Sequence, residues 1–435
     1  MRTGYEAIVI GAGALGAAVA LELARAGRAT LVLDRLGAAG HGSTSDSASI
    51  VRVFASNPAA VILSSESVAG WHDWRGYLGA DDELGYAEYR RTGTLLVKSA
   101  TGNHERALPH LRELGIPHEE WNAADLAERV PIFDVRSFWP PRRPDDERFW
   151  HEPERELEGA IHIPEGGYVT DASLAAHNLQ RAAEAAGAEF LFRANVAEIP
   201  EANGRVVGVV LADGTRIEAP VVVNVAGPHS GAINRLAGVE EGMRMATTPL
   251  RHELHVVPAP AGFDYERDGF HVSDGDLGIN FRPETGNRIL VGTEDPPCDP
   301  QTWIDDPDDY DRNVTKERWE AQVYRLARRI PDLPIPLEPK GFAGVYDVTA
   351  DWTPIYDRSD LDGFYMAVGT SGNQFKNAPT VGRLMAELIE ACESGRDHDA
   401  DPVRIHCPRV GRTLDLGAFS RLREASRDAS LSVVG

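Results

Sequence analysis

Residues 6–34 read EAIVIGAGALGAAVALELARAGRATLVLD, and this stretch decides the fold of the first part of the chain. Residues 6–10, EAIVI, predict a buried strand because four apolar residues follow Glu6. The apolar and small residues after the glycines predict a helix that closes at Gly27, a residue type favoured just past a helix end. Residues 29–34 predict a second strand. Strand, glycine turn, helix and strand in this order are typical of a parallel βαβ unit.

The three glycines after the first strand, Gly11, Gly13 and Gly16, have the G-x-G-x-x-G spacing. The first permits a tight turn, the second lets the backbone approach a pyrophosphate, and the third lets helix and strand pack closely. The helix N-terminus then offers free N–H groups to the phosphates. Asp34 ends the second strand, where a carboxylate can accept hydrogen bonds from an adenosine ribose. The motif predicts a dinucleotide site and argues against NADP, and it fits NAD and FAD equally well.

Length, charge and cysteine usage exclude several classes of function. A chain of 435 residues is long enough for about two to three domains. The formal net charge of −23 argues against a nucleic-acid partner, because phosphate binding needs clustered Lys and Arg. No apolar run has the length of a membrane span. The three cysteines lack C-x-x-C spacing and the histidines lack ligand-pair spacing, so we expect no disulfide framework, no metal and a reducing, cytoplasmic location.

Later segments extend the nucleotide-binding pattern. Residues 166–190 predict a turn, an Asp cap and an amphipathic helix, and the strand region around Val196 that follows is a candidate to lie against the nucleotide. Residues 221–231, VVVNVAGPHSG, predict a buried strand that runs into a glycine-containing loop. Residues 344–357 and 363–389 predict strand, glycine turn and helix, which return the chain to the nucleotide-binding domain.

In order and in kind, these features resemble the D-amino-acid oxidase superfamily of flavoenzymes over nearly the whole chain. They are the glycine motif, the loop HGSTSDSASIVR at residues 41–52, the GYV-D-helix segment, the NVAGPHS strand, and, last along the chain, the motifs Asp-x-x-Pro and SGNQFK. The likeness is to the branch of monomeric sarcosine oxidase and N-methyl amino acid oxidases. The resemblance implies FAD as the cofactor and a mixed α/β (α+β) fold. In that fold a Rossmann-like FAD-binding domain is interleaved with a substrate domain built on an antiparallel sheet.

The resemblance also implies where the two domains lie along the chain. Residues 134–158 look like an insertion, for which a lid, a subunit contact and a disordered loop are all compatible readings. Beyond Cys407, Leu and Arg at helical intervals predict a helix that docks on the surface or on another subunit. The predicted segments are 1–85, 150–235 and 340–400 for the FAD-binding domain, 86–149 and 236–339 for the substrate domain, and 401–435 for the carboxy-terminal tail.

The resemblance implies a set of cofactor-binding residues and a noncovalent mode of binding. Sarcosine oxidases link FAD to a cysteine at the position of Gly344, and a related dehydrogenase branch uses a histidine where this chain has Asp46. Neither residue can form the respective link, so we expect noncovalent FAD. The implied cofactor-binding residues are Gly11, Gly13, Ala14, Leu15, Gly16, Asp34, Arg35, Ser43, Thr44, Ser45, Val196, Ala226, Gly227, Gly344, Tyr346, Gly372, Asn373, Gln374, Phe375 and Lys376.

Two cations are the candidate catalytic residues. In similar oxidases the loop matching residues 41–52 ends in an arginine that binds the substrate carboxylate, and Arg52 occupies that place. Where the sarcosine oxidases have a second arginine in this loop, this chain has Ser49. The family's lysine that closes a G-x-x-F-K run is Lys376. Charge-assisted hydrogen bonds from both would hold a carboxylate so that the reacting C–H lies at flavin N5. On residue types alone, Arg52 reads as a surface ion-pair partner and Lys376 as a solvated helix start.

Departures from the family pattern bear on the acceptor and the substrate. The oxygen-activating lysine of sarcosine oxidases matches Leu290, and Arg288 is a candidate to replace its charge. The family's histidine after the strand glycine matches Glu294, which either binds a cationic substrate group or faces solvent. Among the other histidines, His229 follows the nucleotide strand and is expected to cap or pack. Three more fall on expected strands of the substrate domain, where any of them could line the pocket: His252, His255 and His271.

The reaction implied by the resemblance is oxidation of a C–N bond in an amine or N-substituted amino acid. Hydride transfer to flavin N5 would give an imine, which water hydrolyses. Either O2 or another electron acceptor would reoxidise the flavin. A flavin dehydrogenase of a 2-hydroxy acid is an alternative that needs a general base for the hydroxyl proton. A flavin-binding electron-transfer subunit without turnover is another, and the sequence does not fix the oligomeric state.

Overall fold

A six-stranded sheet forms the centre of the computed structural model, which describes residues 4–426 and 432–433. Its first strand, Ala7–Ile10, pairs in parallel with Thr30–Asp34 on one side and with Val222–Asn224 on the other. Only the edge strand Ile355–Arg358 runs antiparallel to its neighbour. In spatial order the strands are Ile355–Arg358, Phe364–Val368, Val222–Asn224, Ala7–Ile10, Thr30–Asp34 and Glu189–Phe192.

Helices rich in small residues cover this sheet. Ala14–Arg25 is the crossover between the first two strands, and it packs against both Ala172–Ala185 and Ala378–Glu393. It is buried along nearly its whole length because alanine and glycine let neighbouring backbones approach. The Asp171 carboxylate caps Ala172–Ala185 by accepting a hydrogen bond from the Leu174 N–H at 2.9 Å. The predicted crossover helix and the predicted Asp-capped helix are therefore confirmed.

A second, nine-stranded sheet is mainly antiparallel. Its long strand Thr247–Pro258 pairs with Arg288–Thr293 and, at its other end, with Gly341–Thr349. The parallel and antiparallel sheets together confirm the predicted mixed α/β fold. The path of the sheet is Thr302–Trp303, Thr247–Pro258, Arg288–Thr293, Ile279–Glu284, His271–Asp274, Thr94–Val97, Ala160–Ile163 and Glu119–Trp121, with Gly341–Thr349 beside Thr247–Pro258.

Two strands of this sheet come from segments that the sequence assigned to the FAD-binding domain. Ala160–Ile163 pairs with Thr94–Val97, and Gly341–Thr349 pairs with the first part of Thr247–Pro258. The assignment of these strands differs because backbone pairing, and not position between nucleotide-binding segments, decides sheet membership. The remaining domain boundaries stay a prediction.

The predicted insertion at residues 134–158 is folded against the second sheet. The Arg329 guanidinium donates to the main-chain carbonyls of Asp134 and Arg136. The Asp276 carboxylate accepts from the Ser137 hydroxyl and from the Phe138 N–H, both at 2.7 Å. The reading as a disordered loop is therefore wrong, and among the described residues none of this segment lines the cavity described below.

Over the described residues beyond Cys407, the predicted helix is wrong. Arg404–Cys407 and Arg412–Asp415 pair as an antiparallel hairpin, and a short 3-10 turn follows at Leu416–Phe419. Along this stretch exposed and buried side chains alternate with the period of a strand, and Leu414 points into the core. Residues 427–431 and 434–435 of the predicted tail lie outside the described residues.

Smaller elements complete the described chain, and none of its helices is long and apolar enough to cross a membrane. The remaining helices are Pro58–His72, Trp74–Leu78, Asn103–Glu113, Ala123–Arg129, Ser230–Leu236, Tyr265–Asp268 and Lys316–Arg329, with 3-10 turns at Glu147–Trp150, Gly227–His229, Glu240–Gly242 and Phe375–Asn377. The remaining strands are Ile50–Val51, Tyr89–Arg90, Gly167–Val169, Val196–Glu198, Glu201–Ala202, Arg205–Val206, Gly208–Leu211 and Arg216–Glu218.

Candidate active site

The glycine loop forms a cradle at the end of the first strand that side chains would fill. Gly11 has φ of 110°, and a Cβ there would lie 2.3 Å from the Val225 carbonyl oxygen. A Cβ on Gly16 would lie 1.9 Å from the Gly11 carbonyl oxygen. Gly13 precedes the helix as its N-cap and makes no side-chain cap. The loop is thus free of side chains of its own, as close approach of a pyrophosphate requires, and the Ala14 N–H donates to the Thr44 hydroxyl at 3.1 Å.

The Asp34 carboxylate ties this cradle to the second strand. One of its oxygens accepts from the Ala12 N–H and the other from the Leu36 N–H, each at 2.7 Å. The side chain also lines the cavity, so its oxygens can accept further hydrogen bonds from a ligand. Contact with a ribose stays a prediction, and the structure adds a second task, which is to hold the glycine loop in place.

A cavity of about 410 Å³ runs from the cradle to the second sheet. Among the described residues, all implied cofactor-binding residues line it except Ser45 and Gly344. The Ser45 hydroxyl donates within its own turn, to the Gly42 carbonyl at 2.8 Å. A Cβ on Gly344 would lie 2.6 Å from the Cβ of Asp46, so the two positions that carry covalent links in relatives face each other. The cradle, the acid and the residues that line this cavity fit FAD.

A loop missed by the sequence interpretation covers the nucleotide end of the cavity. Residues 299–313 are acidic and proline-bearing, and their sequence carries no motif that indicates a role. The Asp308 carboxylate accepts from the Arg35 guanidinium and lies 3.2 Å from the His229 ring. The hydrogen bond from Arg35 lowers the pKa of Asp308 to about 2. Three other residues of this loop line the cavity: Pro307, Tyr310 and Arg312.

The two candidate catalytic cations lie at the other end of the same cavity, and both are buried. Arg52 is 7% exposed and Lys376 is 6% exposed. The Arg52 guanidinium donates to the main-chain carbonyls of Phe54, at 2.7 Å, and of Val433. The Lys376 ammonium donates to the Asn373 carbonyl. The readings as a surface ion-pair partner and as a solvated helix start are therefore wrong.

Burial without a paired anion perturbs both cations. Burial lowers the pKa of Arg52 to about 10, and only the nearby Glu294 opposes this. Burial and then the charge of Arg52 lower the pKa of Lys376 well below its usual value. Within the described residues neither side chain forms an ion pair. An anion that entered the cavity would reverse both shifts, because opposite charge favours the protonated forms.

Glu294 supplies a buried acid close to these cations. It follows the strand Arg288–Thr293, is 7% exposed, lines the cavity and accepts a hydrogen bond from the Ser273 hydroxyl. Burial raises the pKa of Glu294 to about 8, and Asp274 adds to this while Ser273 and Arg52 oppose it. The alternative in which Glu294 faces solvent is wrong.

Two histidines of the second sheet also line the cavity, and sequence alone did not single them out. His271 Nδ1 lies 3.0 Å from the Thr94 hydroxyl, and burial with the charge of Arg52 lowers the pKa of His271 to about 3. The His252 ring stacks on Tyr346 with centroids 4.3 Å apart, and burial lowers its pKa to about 3 as well. Both rings are accordingly neutral near pH 7. His255 is buried outside the described cavity wall.

Arg288 cannot replace the missing charge at position 290. Leu290 is buried, while Arg288 is exposed at the far end of the same strand and donates to the Thr285 carbonyl at 2.7 Å. The two residues are absent from the cavity wall within the described chain. The expectation for Arg288 is wrong because alternate and terminal positions of a strand face different surroundings.

One group of ligand-type side chains lies elsewhere on the described surface. Asp82, Glu83 and His177 come within reach of one another. The Asp82 carboxylate already accepts from the Asn178 amide at 2.7 Å and lies 2.8 Å from His177 Nδ1. Hydrogen bonds within the chain account for this group, and the expected lack of a metal stays a prediction.

The parallel sheet, the glycine cradle and Asp34 at the end of the second strand are the features of a dinucleotide-binding protein. The family model of FAD dependent oxidoreductases, the DAO family, matches residues 6–388. The chain therefore belongs to this family of FAD-dependent oxidoreductases, and the resemblance drawn from the sequence is confirmed.

Individual relatives agree with the family. Glycine oxidase of Geobacillus kaustophilus is 24% identical over 425 residues, which cover 94% of this chain and 98% of that protein. Sarcosine oxidase subunit beta of Rhodobacter capsulatus is 23% identical, over 88% of this chain and 84% of that protein. The crystal structure of L-proline dehydrogenase from P. horikoshii superimposes with a TM-score of 0.73 at 24% identity, covering 89% of this chain and 94% of that one.

Proposed function

We propose that this FAD-dependent oxidoreductase oxidises the C–N bond of an amino acid whose carboxylate binds between Arg52 and Lys376. The observation that carries the proposal is the placement of two buried cations and one buried carboxyl, Glu294, in the wall of a single cavity. FAD supplies the acceptor for the electrons, and the side chains bind and orient the substrate. The named substrates of glycine oxidase and L-proline dehydrogenase are amino acids, which supports the same class here.

The charges of an amino acid complement those of the cavity. Its carboxylate provides the anion that Arg52 and Lys376 lack, and charge-assisted hydrogen bonds of this kind are the strong ones. Its amino group provides a donor for the Glu294 carboxylate. Buried charges are stable only when they are paired, so this arrangement selects a ligand that carries both signs.

The chain's residues then account for substrate orientation and for one proton. Arg52 and Lys376 fix the carboxylate and thereby the α-carbon, and Glu294 holds a proton of the substrate nitrogen. Loss of a hydride from carbon and a proton from nitrogen leaves an imine, which water converts to a carbonyl compound and an amine or ammonia.

We further propose that FAD is bound noncovalently. Gly344 has no side chain, and Asp46 opposite it is not a nucleophile that forms a stable flavin link. Acid precipitation of the purified protein is expected to release the yellow colour into the supernatant. Colour that stays with the precipitate would contradict noncovalent binding.

The three cysteines, which are free thiols, support the proposed cytoplasmic location. They are Cys298, Cys392 and Cys407. The proposed partners are limited to the amino acid and an electron acceptor, which is O2 or another oxidant.

The experiment that tests the function is an anaerobic titration followed by the visible spectrum of bound flavin. N-methyl amino acids, primary amino acids and 2-hydroxy acids are added in turn to the holoenzyme. Bleaching by amino acids supports the proposal, and bleaching by 2-hydroxy acids alone would favour a hydroxy-acid dehydrogenase with His252 or His271 as base. If nothing bleaches the flavin, a subunit that only carries electrons is favoured. Readmitting air distinguishes an oxidase, which recovers its colour quickly, from a dehydrogenase.

A further inference from the structure

We infer that Val433 occupies the carboxylate site and is displaced when a substrate carboxylate binds. The inference rests on the proposed function, because it takes Arg52 as the carboxylate anchor. The Arg52 guanidinium donates to the Val433 carbonyl, and Val433 lines the same cavity as Arg52 and Lys376. The two residues are 381 positions apart in the sequence, so this contact is made by the fold and not by chain proximity.

The chain that leads to Val433 is anchored firmly. Arg421 donates to the Asp399 carboxylate at 2.7 Å and to that of Asp357 at 3.2 Å. Arg423 donates to the Asp351 carboxylate at 2.9 Å. These buried or half-buried ion pairs attach the chain to the strand Ile355–Arg358 and to the turn before it. The chain is thereby fixed at Arg421 and at Arg423.

Val433 itself packs on a small apolar cluster. The buried members of this cluster are Leu250, Val348 and Trp352, and Tyr346 lies at its border with Val433. Tyr346 also lines the cavity and stacks on His252. Val433 therefore belongs to the wall of the substrate site through its side chain as well as through its carbonyl.

The partners of Arg52 explain why this contact can be replaced. Its described hydrogen-bond acceptors are two main-chain carbonyls, of Phe54 and of Val433, and both are neutral. A buried donor left without an acceptor is costly, so the Val433 carbonyl stabilises Arg52 while no substrate is bound. A carboxylate offers two oxygens and a full charge, and such bonds are about twice as strong as those to neutral acceptors. The substrate consequently takes the place of the Val433 carbonyl.

Competition for one donor couples the two events. When Val433 is docked on Arg52, the apparent affinity for a carboxylate falls by the fraction of molecules that are undocked. Conversely, a bound carboxylate shifts Val433 to the undocked state by the same factor. Val433 thus tunes the affinity of the substrate site without taking part in the reaction.

The test compares the full-length holoenzyme with a holoenzyme that lacks residues 432–435. Acetate, a carboxylate without an oxidisable C–N bond, is titrated while the visible spectrum of FAD is followed. We expect acetate to bind the shortened enzyme at least about threefold more tightly, because one competitor is gone. Leu422→Ala, which changes an exposed side chain of the same tail, serves as the control and is expected to bind acetate like the full-length enzyme. Equal or weaker binding by the shortened enzyme overturns the inference.

A second measurement uses the unmodified holoenzyme, so it does not depend on folding of the shortened form. Hydrogen exchange of the carboxy-terminal peptide is followed with and without saturating acetate. We expect faster exchange in this peptide with acetate, and unchanged or slower exchange would contradict displacement.

The two proposals fail in different ways. If acetate binds both forms equally while amino acids bleach the flavin, the inference about Val433 is wrong and the proposed function stands. If acetate prefers the shortened form and no amino acid bleaches the flavin, the proposed function is wrong and the competition stands. Acetate binding to neither form would overturn the competition at Arg52 as well.

Discussion

The two ends of the cavity are built in opposite ways. At the nucleotide end, closely spaced glycines and Asp34 shape the backbone so that it can approach a ligand. At the substrate end, Arg52, Glu294 and Lys376 come from distant segments and act through buried charge. Backbone shape is encoded by local spacing, whereas a charge pattern of this kind exists only in the folded protein. Substitutions at the nucleotide end should therefore abolish FAD binding. Substitutions at the substrate end should leave FAD bound and weaken only the binding of the substrate.

The largest effect is expected for Gly11→Ala. The new methyl group would lie 2.3 Å from the Val225 carbonyl oxygen at a residue with φ of 110°, so the cradle must deform. We expect the purified variant to carry no flavin and to resist reconstitution with FAD. Gly4→Ala, where no atom lies within 4 Å of the added carbon, is the matched control and should keep its flavin. Flavin retained by Gly11→Ala would remove the distinction between the two ends.

Arg52→Ala should weaken substrate binding and leave FAD binding unchanged. Hydrogen bonds to charged groups contribute about 1.5–3 kcal/mol, which corresponds to a rise in KM for the amino acid of roughly 10-fold to 150-fold. The flavin content should stay at the native level. Steady-state kinetics and the absorption spectrum measure both quantities. Lys376→Met should act in the same sense, and Arg288→Ala, at an exposed arginine outside the cavity wall, should have native kinetics. A native KM for Arg52→Ala would exclude the carboxylate anchor.

The pH dependence sharpens the role of Glu294. Its pKa of about 8 means that the carboxyl is protonated below that pH and ionised above it. Binding of a substrate ammonium needs the ionised form, so kcat/KM should rise by about tenfold per pH unit up to about pH 8 and then level off. In Glu294→Gln this rise of kcat/KM with pH, the acid limb of the profile, should disappear.

A matched variant moves the same limb without removing the acid. The Ser273 hydroxyl donates to Glu294 and lowers its pKa, so Ser273→Ala should shift the limb to higher pH. A limb that persists unchanged in Glu294→Gln would assign it to another group.

The smallest effect is expected at the covering loop of the nucleotide end. Asp308 joins Arg35 and His229, but the Arg35 and Asp308 side chains are 36% and 45% exposed, and exposed pairs contribute about 0–1 kcal/mol. Asp308→Asn should weaken FAD binding by no more than about fivefold, and salt should weaken native binding by a similar factor. Equilibrium dialysis of FAD measures both. A much larger loss would mean that charged side chains, and not only the backbone, hold the nucleotide.

The sequence predicted the nucleotide end closely. The strands found at Ala7–Ile10 and Thr30–Asp34 differ from the predicted ones by a single residue at the start, because apolar runs and glycine spacing determine local conformation directly. The placement of Arg52 and Lys376 in one cavity was also expected, although only from the family pattern.

The substrate end could not be predicted in the same way. Whether Glu294 faces the cavity or solvent depends on which strands lie beside it, and strand pairing is decided by tertiary contacts. The same holds for Arg288, which lies at the exposed end of its strand. It also holds for which of the histidines line the cavity. The approach of Val433 to Arg52 joins residues that are 381 positions apart and has no local signal in the sequence.

The strand order of the central sheet has a consequence for how the protein is made. Ala7–Ile10 is synthesised well before its neighbour Val222–Asn224, and Phe364–Val368, which pairs with that neighbour, is synthesised later still. Until then an apolar strand with an unpaired edge is exposed, and such edges promote aggregation during synthesis. The central sheet is therefore complete only once residues up to Phe364–Val368 have been synthesised, so the pairing of Ala7–Ile10 with Val222–Asn224 depends on segments far apart in the sequence.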